Sequence, residues 1–170
     1  FIRHISNSDA TLNYPESQLD MVRLGLVTYG ISENSNLNKE LTPVITWSSQ
    51  VAQIKSVRKG ESIGYGRSFR SEKEMQIAII PVGYADGFRR SLGNGKGSVF
   101  INGHMFYTIG NVCMDMIMID VSNEDILPGA IVEIIGENQS LRQFAKLLDT
   151  IPYEVLTSLS NRVHRNYIIN

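Results

Sequence analysis

Only one cysteine, Cys113, occurs in the 170 residues, so no disulfide can close within the chain and nothing points to an oxidising compartment. The three histidines, His4, His104 and His164, lack metal-ligand spacing, and no metal site is expected. Excess charge of one sign is missing too. With 16 Lys and Arg against 17 Asp and Glu, the net charge of -1 offers no broad basic face to nucleic acid. No apolar run approaches the roughly 20 residues that cross a bilayer, and the opening FIRHISNSDA lacks the charged-then-apolar build of a signal peptide. A cytoplasmic protein without membrane insertion is expected. The chain has no internal repeat and no low-complexity segment, and its first residues read as the middle of something longer, so a fragment is expected.

What is present is ordinary globular composition, 42% hydrophobic and 19% charged, with chain enough for one domain or for a domain and part of a second. Residues 81–121 organise the rest. Apolar runs at 76–82 and 116–121 are rich in Ile and Val and short enough for strands, and each meets a turn that carries more than a turn needs. One turn is GYADG at 83–87 and the other is GNVCMD at 110–115. Further strands are expected over residues 21–30, 44–55, 98–101, 104–109, 130–135 and 162–169, with an Asn102-Gly103 hairpin. Helical spacing appears only late. Ser140 caps a segment carrying Leu141, Phe144, Ala145 and Leu148, and Pro152 opens one carrying Val155, Leu156 and Leu159. Short strands between Gly turns, followed by short helices, predict a mainly β fold with a closed Greek-key barrel, which leaves no sheet edge exposed. The polar SENSNLNK at 32–39 is the expected linker.

Several side chains suggest chemistry, and each has a plainer reading. Tyr65 stands between two glycines that remove steric cover, so its phenol either projects into a cleft or packs at a strand end with a wet hydroxyl. A phenol serves as a base only where a neighbour favours its anion. Asp86 and Asp115 form either a carboxylate pair or two turn caps, the commoner role beside glycine. Cys113 reads as a small buried hydrophobe, since no histidine is near it in sequence. Ser6, Ser8 and the backbone near Gly25 are suited to a phosphate or to a solvated loop. Arg23 interrupts an apolar run, where a guanidinium needs partners for its donors. Tyr153 opens a helix and either bonds an anion or packs at the surface, while Arg67, Arg70, Arg89 and Arg90 read as a solvated basic face.

Taken together, HISNS at 4–8, DMVRLG at 20–25, IGYG at 63–66, PVGYADG at 81–87, VCMD at 112–115 and IPYEV at 151–155 resemble, in order and along the whole chain, the C-terminal part of the bacterial alanine racemase family. The resemblance implies a pyridoxal phosphate (PLP) enzyme with an N-terminal (β/α)8 barrel and a C-terminal β domain, acting on alanine as a head-to-tail homodimer. Residues 1–31 would then be the end of the barrel and residues 32–170 the β domain. By the same resemblance Tyr65 is the base on the L-amino-acid face, delivered into the partner subunit's site. Ser8, Gly25 and Tyr153 grip the phosphate, His4 packs by the cofactor ring, and Tyr84 and Met114 wall the substrate side.

Arg23 would face the pyridine nitrogen. A carboxylate there keeps that nitrogen protonated, whereas a guanidinium has donors and no acceptor, so the ring draws fewer electrons and simple return of the α-proton is favoured. An amino-acid decarboxylase of the same barrel type fits less well for that reason. The intact protein is therefore expected to interconvert L- and D-alanine for peptidoglycan. A serine racemase of the same family and a non-catalytic β-barrel dimerisation module are the alternatives. No lysine here matches the family's cofactor lysine, so the chain by itself is expected to be inactive. Two departures are Leu24, where Pro is common, and Asn111, where Arg is common.

Overall fold

Asn7 and Ser140 begin helices for the same local reason. The first turn of a helix leaves backbone N–H groups without partners, and a short polar side chain just before it can accept from one. The Asn7 side chain accepts from the Ala10 N–H at 2.9 Å, and Ser140 and Gln143 cap each other's backbone in a reciprocal box. A computed structural model describes residues 1–32, 34 and 36–168, and the chain divides into two units, Phe1–Ile45 and Thr46–Asn170. The 32–39 stretch falls inside the first unit, and its residues 33 and 35 lie outside the described residues.

The first unit holds α1 (Ser8–Asn13) and short 3-10 turns at Pro15–Ser17, Leu26–Tyr29 and Leu37–Lys39. The strand expected over residues 21–30 does not form. Gly25 (φ -130°, ψ -96°) and the left-handed Gly30 (φ 74°) bound a 3-10 turn, and Thr28 Oγ1 donates to the Gly25 carbonyl at 2.6 Å. A strand needs a neighbouring strand, and the described residues of this unit include none. Individual backbone bonds do the joining: Arg23 N–H donates to Ser6 O at 3.0 Å and Asp20 N–H to Arg3 O at 3.2 Å.

The second unit contains β1 (Trp47–Gln50), β2 (Gln53–Val57), β3 (Ser62–Ile63), β4 (Phe69–Arg70), β5 (Met75–Ile80), β6 (Ser98–Ile101), β7 (His104–Tyr107), β8 (Ile117–Asp120), β9 (Ile131–Ile135), α2 (Leu141–Leu147) and α3 (Pro152–Ser158). They pair as β1-β9-β6-β7, β2-β5-β8 and β3-β4, and every pairing is antiparallel. The mainly β architecture with short terminal helices is as expected. A closed Greek-key barrel is not seen as one continuous ladder, because pairing is interrupted in two places. The strand expected over 44–55 divides at Val51-Ala52, where Val51 N–H donates to Ala130 O and the adjacent Ala52 N–H donates to Ile79 O, both at 2.9 Å. Consecutive residues thus bond to different sheets and turn the chain through a corner. Between β7 and β8, among the described residues, the Thr108–Ile119 bridge and an Ile109 N–H to Met118 O bond of 2.8 Å make the join.

The hairpin between β6 and β7 forms on Asn102 (φ 52°) and Gly103 (φ 80°), the left-handed pair that a tight antiparallel turn requires. The strand expected over 162–169 is absent from residues 162–168, where Val163 N–H donates to the Ser160 carbonyl at 3.1 Å and Arg165 Nη2 to the Leu159 carbonyl at 3.2 Å; residue 169 lies outside the described residues.

Apolar packing holds this unit, and two of its groups bear on the site. Trp47, Phe88 and Phe144 pack with ring centroids 5.8 to 6.4 Å apart and tilted or edge-on, which suits their quadrupoles. Phe144 comes from α2 and so fastens the helix to the strands. Val57, Ile63, Met75, Ile77, Cys113 and Met118 form the second group, where Cys113 sits as the buried hydrophobe expected of it. None of the described helices is long and apolar enough to cross a membrane. Phe144 is fully buried, so Phe144→Ala should lower unfolding free energy by about 3–5 kcal/mol, read by chemical denaturation; a loss under about 1 kcal/mol would show that α2 is not anchored there.

Candidate active site

The GYADG turn is built against the loop at residues 110–115 so closely that only glycine fits at its start. A Cβ on Gly83 would lie 2.3 Å from the Met114 carbonyl oxygen and 2.4 Å from that of Cys113. With no side chain in the way, Tyr84 N–H donates to Cys113 O and Ala85 N–H to Met114 O, both at 3.1 Å. The two junctions singled out in the sequence are therefore one structure, and Tyr84 and Met114 both emerge from it exposed.

Asp86 and Asp115 are joined through one arginine. The Asp86 carboxylate caps its own turn by accepting from Gly83 N–H at 2.8 Å, and it pairs with Arg162 Nε at 3.0 Å. Asp115 pairs with Arg162 Nη2 at 2.6 Å. One guanidinium thus bridges the two turns. Local sequence gives no signal for Arg162, which lies 47 residues from Asp115.

Tyr65 sits in the 3-10 turn Tyr65–Arg67 that joins β3 to β4. Gly64 (φ 75°) and Gly66 (φ 70°) take conformations that a side chain would strain, and Tyr65 between them is 78% exposed. Its phenol stands out from the surface rather than packing at a strand end. The turn is held from the 110–115 loop: Asn111 Nδ2 donates to the Tyr65 carbonyl at 2.9 Å. The same loop therefore supports the turns of Tyr65 and Tyr84.

In the first unit, Ser8 is buried and its Oγ accepts from Gly25 N–H at 2.8 Å. Arg23 is exposed and donates from Nη2 to the Ile5 carbonyl at 3.1 Å. His4 is exposed on the same segment, beside Arg3, whose guanidinium pairs with Asp20 at 2.9 Å and holds that carboxyl below its ordinary range.

Two family models match the chain: the alanine racemase C-terminal domain over residues 44–167 and the alanine racemase N-terminal domain over residues 1–33. The chain belongs to the alanine racemase family. The alanine racemase of Clostridium tetani (strain Massachusetts / E88) is 43% identical, with 98% of this chain and 45% of that protein covered, and that of Clostridium novyi (strain NT) is 42% identical over 99% and 46%. Among solved structures, an alanine racemase of Clostridium difficile 630 superposes with a TM-score of 0.85 at 38% identity, covering 95% of this chain and 43% of that one. A Bartonella henselae alanine racemase described with covalently bound pyridoxal phosphate also gives 0.85, at 34% identity over 96% and 46%. The chain spans a little under half the length of these members of the family.

Tyr153, which the sequence resemblance gives to the phosphate as an expectation, lies in the first turn of α3 and is exposed. Its neighbour Glu154 fastens that turn by accepting from Arg89 and from the Thr150 hydroxyl. Arg89 is thus an ion-pair partner, and Arg70 Nε donates to the Gly60 carbonyl at 2.8 Å, so the expected solvated basic face is partly engaged. The Arg89 hydrogen bond, and then that from Thr150, hold the Glu154 carboxyl below its ordinary value. A lowered folded-state value means that the contribution to stability is present above the ordinary glutamate range and is lost as pH falls through the folded value. Glu154→Gln should therefore melt earlier than the parent at neutral pH, and the two should converge in acid. A gap that stays constant across that window in pH-dependent thermal melts would contradict the assignment.

Proposed function

We propose that the intact protein interconverts L- and D-alanine for peptidoglycan, with Tyr65 of the second unit as the base that takes and returns the α-proton on the L face. The supporting observation is the Tyr65 turn itself. A phenol that is 78% exposed on a short link, between glycines that leave both its flanks open, is suited to reach a carbon outside its own domain. That placement supports a head-to-tail homodimer in which Tyr65 serves the partner subunit's pocket.

The residues present fit pyridoxal 5'-phosphate, which when bound withdraws electrons from the amino acid's α-carbon and so makes its proton removable. Ser8 is the fit test. Its buried oxygen is oriented by the Gly25 N–H, which leaves the hydroxyl proton to donate to a phosphate oxygen. Arg23 offers further N–H donors to a ring nitrogen and no acceptor, so it can hold that nitrogen without protonating it. His4 packs by the ring, and the family pattern gives the Tyr153 hydroxyl to the same phosphate. Tyr84 and Met114 shape the substrate side, where their shared support keeps them in register. We assign residues 1–31 to the end of the cofactor-binding barrel, residues 32–170 to the β domain, and the whole to the cytoplasm.

Formation of D-alanine from L-alanine by the intact, cofactor-loaded protein tests the proposal. Tyr65→Phe should slow it by about a hundredfold to ten-thousandfold, the usual worth of a positioned acid–base group. Undiminished turnover in that variant, or carbon dioxide release without racemisation in the parent, would reject it.

A further inference from the structure

Tyr65 is carried by a turn with little of its own to hold it. Gly64, Gly66 and Arg67 all have positive φ, at 75°, 70° and 50°. The flanking β3 and β4 contribute two residues each and, among the described residues, pair only with one another, as Ser62 with Arg70 and Ile63 with Phe69. Ile63 and Phe69 reach the apolar group around Cys113 and Met118, so packing fixes the base of the turn. At the tip, the Tyr65 carbonyl accepts from Asn111 Nδ2 at 2.9 Å, across 46 residues of sequence. The Asn111 amide is itself oriented. Asn94 Nδ2 donates to Asn111 Oδ1 at 3.1 Å, which turns the NH2 end towards Tyr65. Asn94 is in turn seated by its backbone, a left-handed residue (φ 56°) whose N–H donates to Gly110 O at 2.7 Å.

We infer that Asn111, oriented by Asn94, is the positioning residue that aims the Tyr65 phenol. The inference rests on the reading of Tyr65 as the base. The bond fixes the peptide plane at Tyr65, and the phenol oxygen lies at the far end of a long rigid side chain, so a small rotation of that plane is magnified there. Proton transfer is sensitive to such displacements, since a misplacement of about 1 Å can cost about a hundredfold. Asn111 does not touch the reacting atoms; it acts through the backbone of the residue that does.

Asn111→Asp keeps the size of the side chain and removes the donor. In the intact cofactor-loaded enzyme it should fold like the parent and lower kcat/KM about tenfold or more, equally from L- and from D-alanine, because enantiomers have the same free energy in water and the ratio of the two directions is fixed. The direction-specific sign lies in the isotope effect. Slower proton transfer at Tyr65 should raise the α-deuterium effect on L-alanine and leave that on D-alanine unraised, which a general loss of folded enzyme would not do. A readout independent of the cofactor is the fluorine resonance of fluorotyrosine at residue 65, identified by its absence in Tyr65→Phe. It should be one sharp line in the parent and broadened or multiple in Asn111→Asp.

Should Asn111→Asp fail to fold, Asn94→Ala frees the amide to turn and should show the same signs at about a threefold loss. Parent-like rates and isotope effects in the variant, with Tyr65→Phe inactive, would overturn the role of Asn111 and leave Tyr65 as the base. A rate loss with an unchanged fluorine line would overturn it equally. Full turnover in Tyr65→Phe would instead remove the reading on which the inference stands.

Discussion

The absence of a side chain at Gly83 is the constraint on which the second unit's functional face depends. Two carbonyl oxygens, from Cys113 and Met114, occupy the space a Cβ would need, and the next two N–H groups bond to those same carbonyls. Close approach and paired hydrogen bonds reinforce each other, because a backbone group buried there without a partner would be costly. From this contact the loop at residues 110–115 extends its hold in other directions. Asn111 reaches the Tyr65 turn, Cys113 enters the apolar group beneath it, and Asp115 meets Arg162, which also binds Asp86. One irregular loop, pinned between β7 and β8, thus supports the turns that carry Tyr65, Tyr84 and Met114.

The sheets supply the rigidity that the loop needs. Ile117, Met118 and Ile119 of β8 are all buried, so the strand leaving the loop is packed on both faces and fixes its exit. Functional side chains at the ends of such elements can be exposed without being loose. Ser8 in the first unit has the converse arrangement: it is a buried hydroxyl whose oxygen accepts from the Gly25 N–H.

Much of this was legible in the sequence where the signal is local. The Ser140 cap and the apolar spacing behind it, the Asn102-Gly103 hairpin, and the Pro152 start of α3 each arise from residues within a few positions of one another. So did the importance of residues 83–87 and 110–115, whose glycines and polar residues exceed what turns require. The missing parts are long-range. Arg162 is only the start of an expected strand until the fold brings two aspartates to it. Asn111 stands out only as a departure from a family pattern until its amide is seen on the Tyr65 carbonyl. The strand expected at 21–30, and the described part of the one expected at 162–169, are absent because apolar content cannot reveal whether a neighbouring strand is there to pair. The 44–55 strand divided because consecutive N–H groups bond to different sheets.

Hydrogen exchange at the Tyr84 and Ala85 amides tests the central contact most directly. Both should be strongly protected in the parent and should become unprotected together in Gly83→Ala, since a methyl group forces the same two carbonyls away from both donors. Rapid exchange of either amide in the parent, or protection of both that survives the added methyl group, would contradict the account.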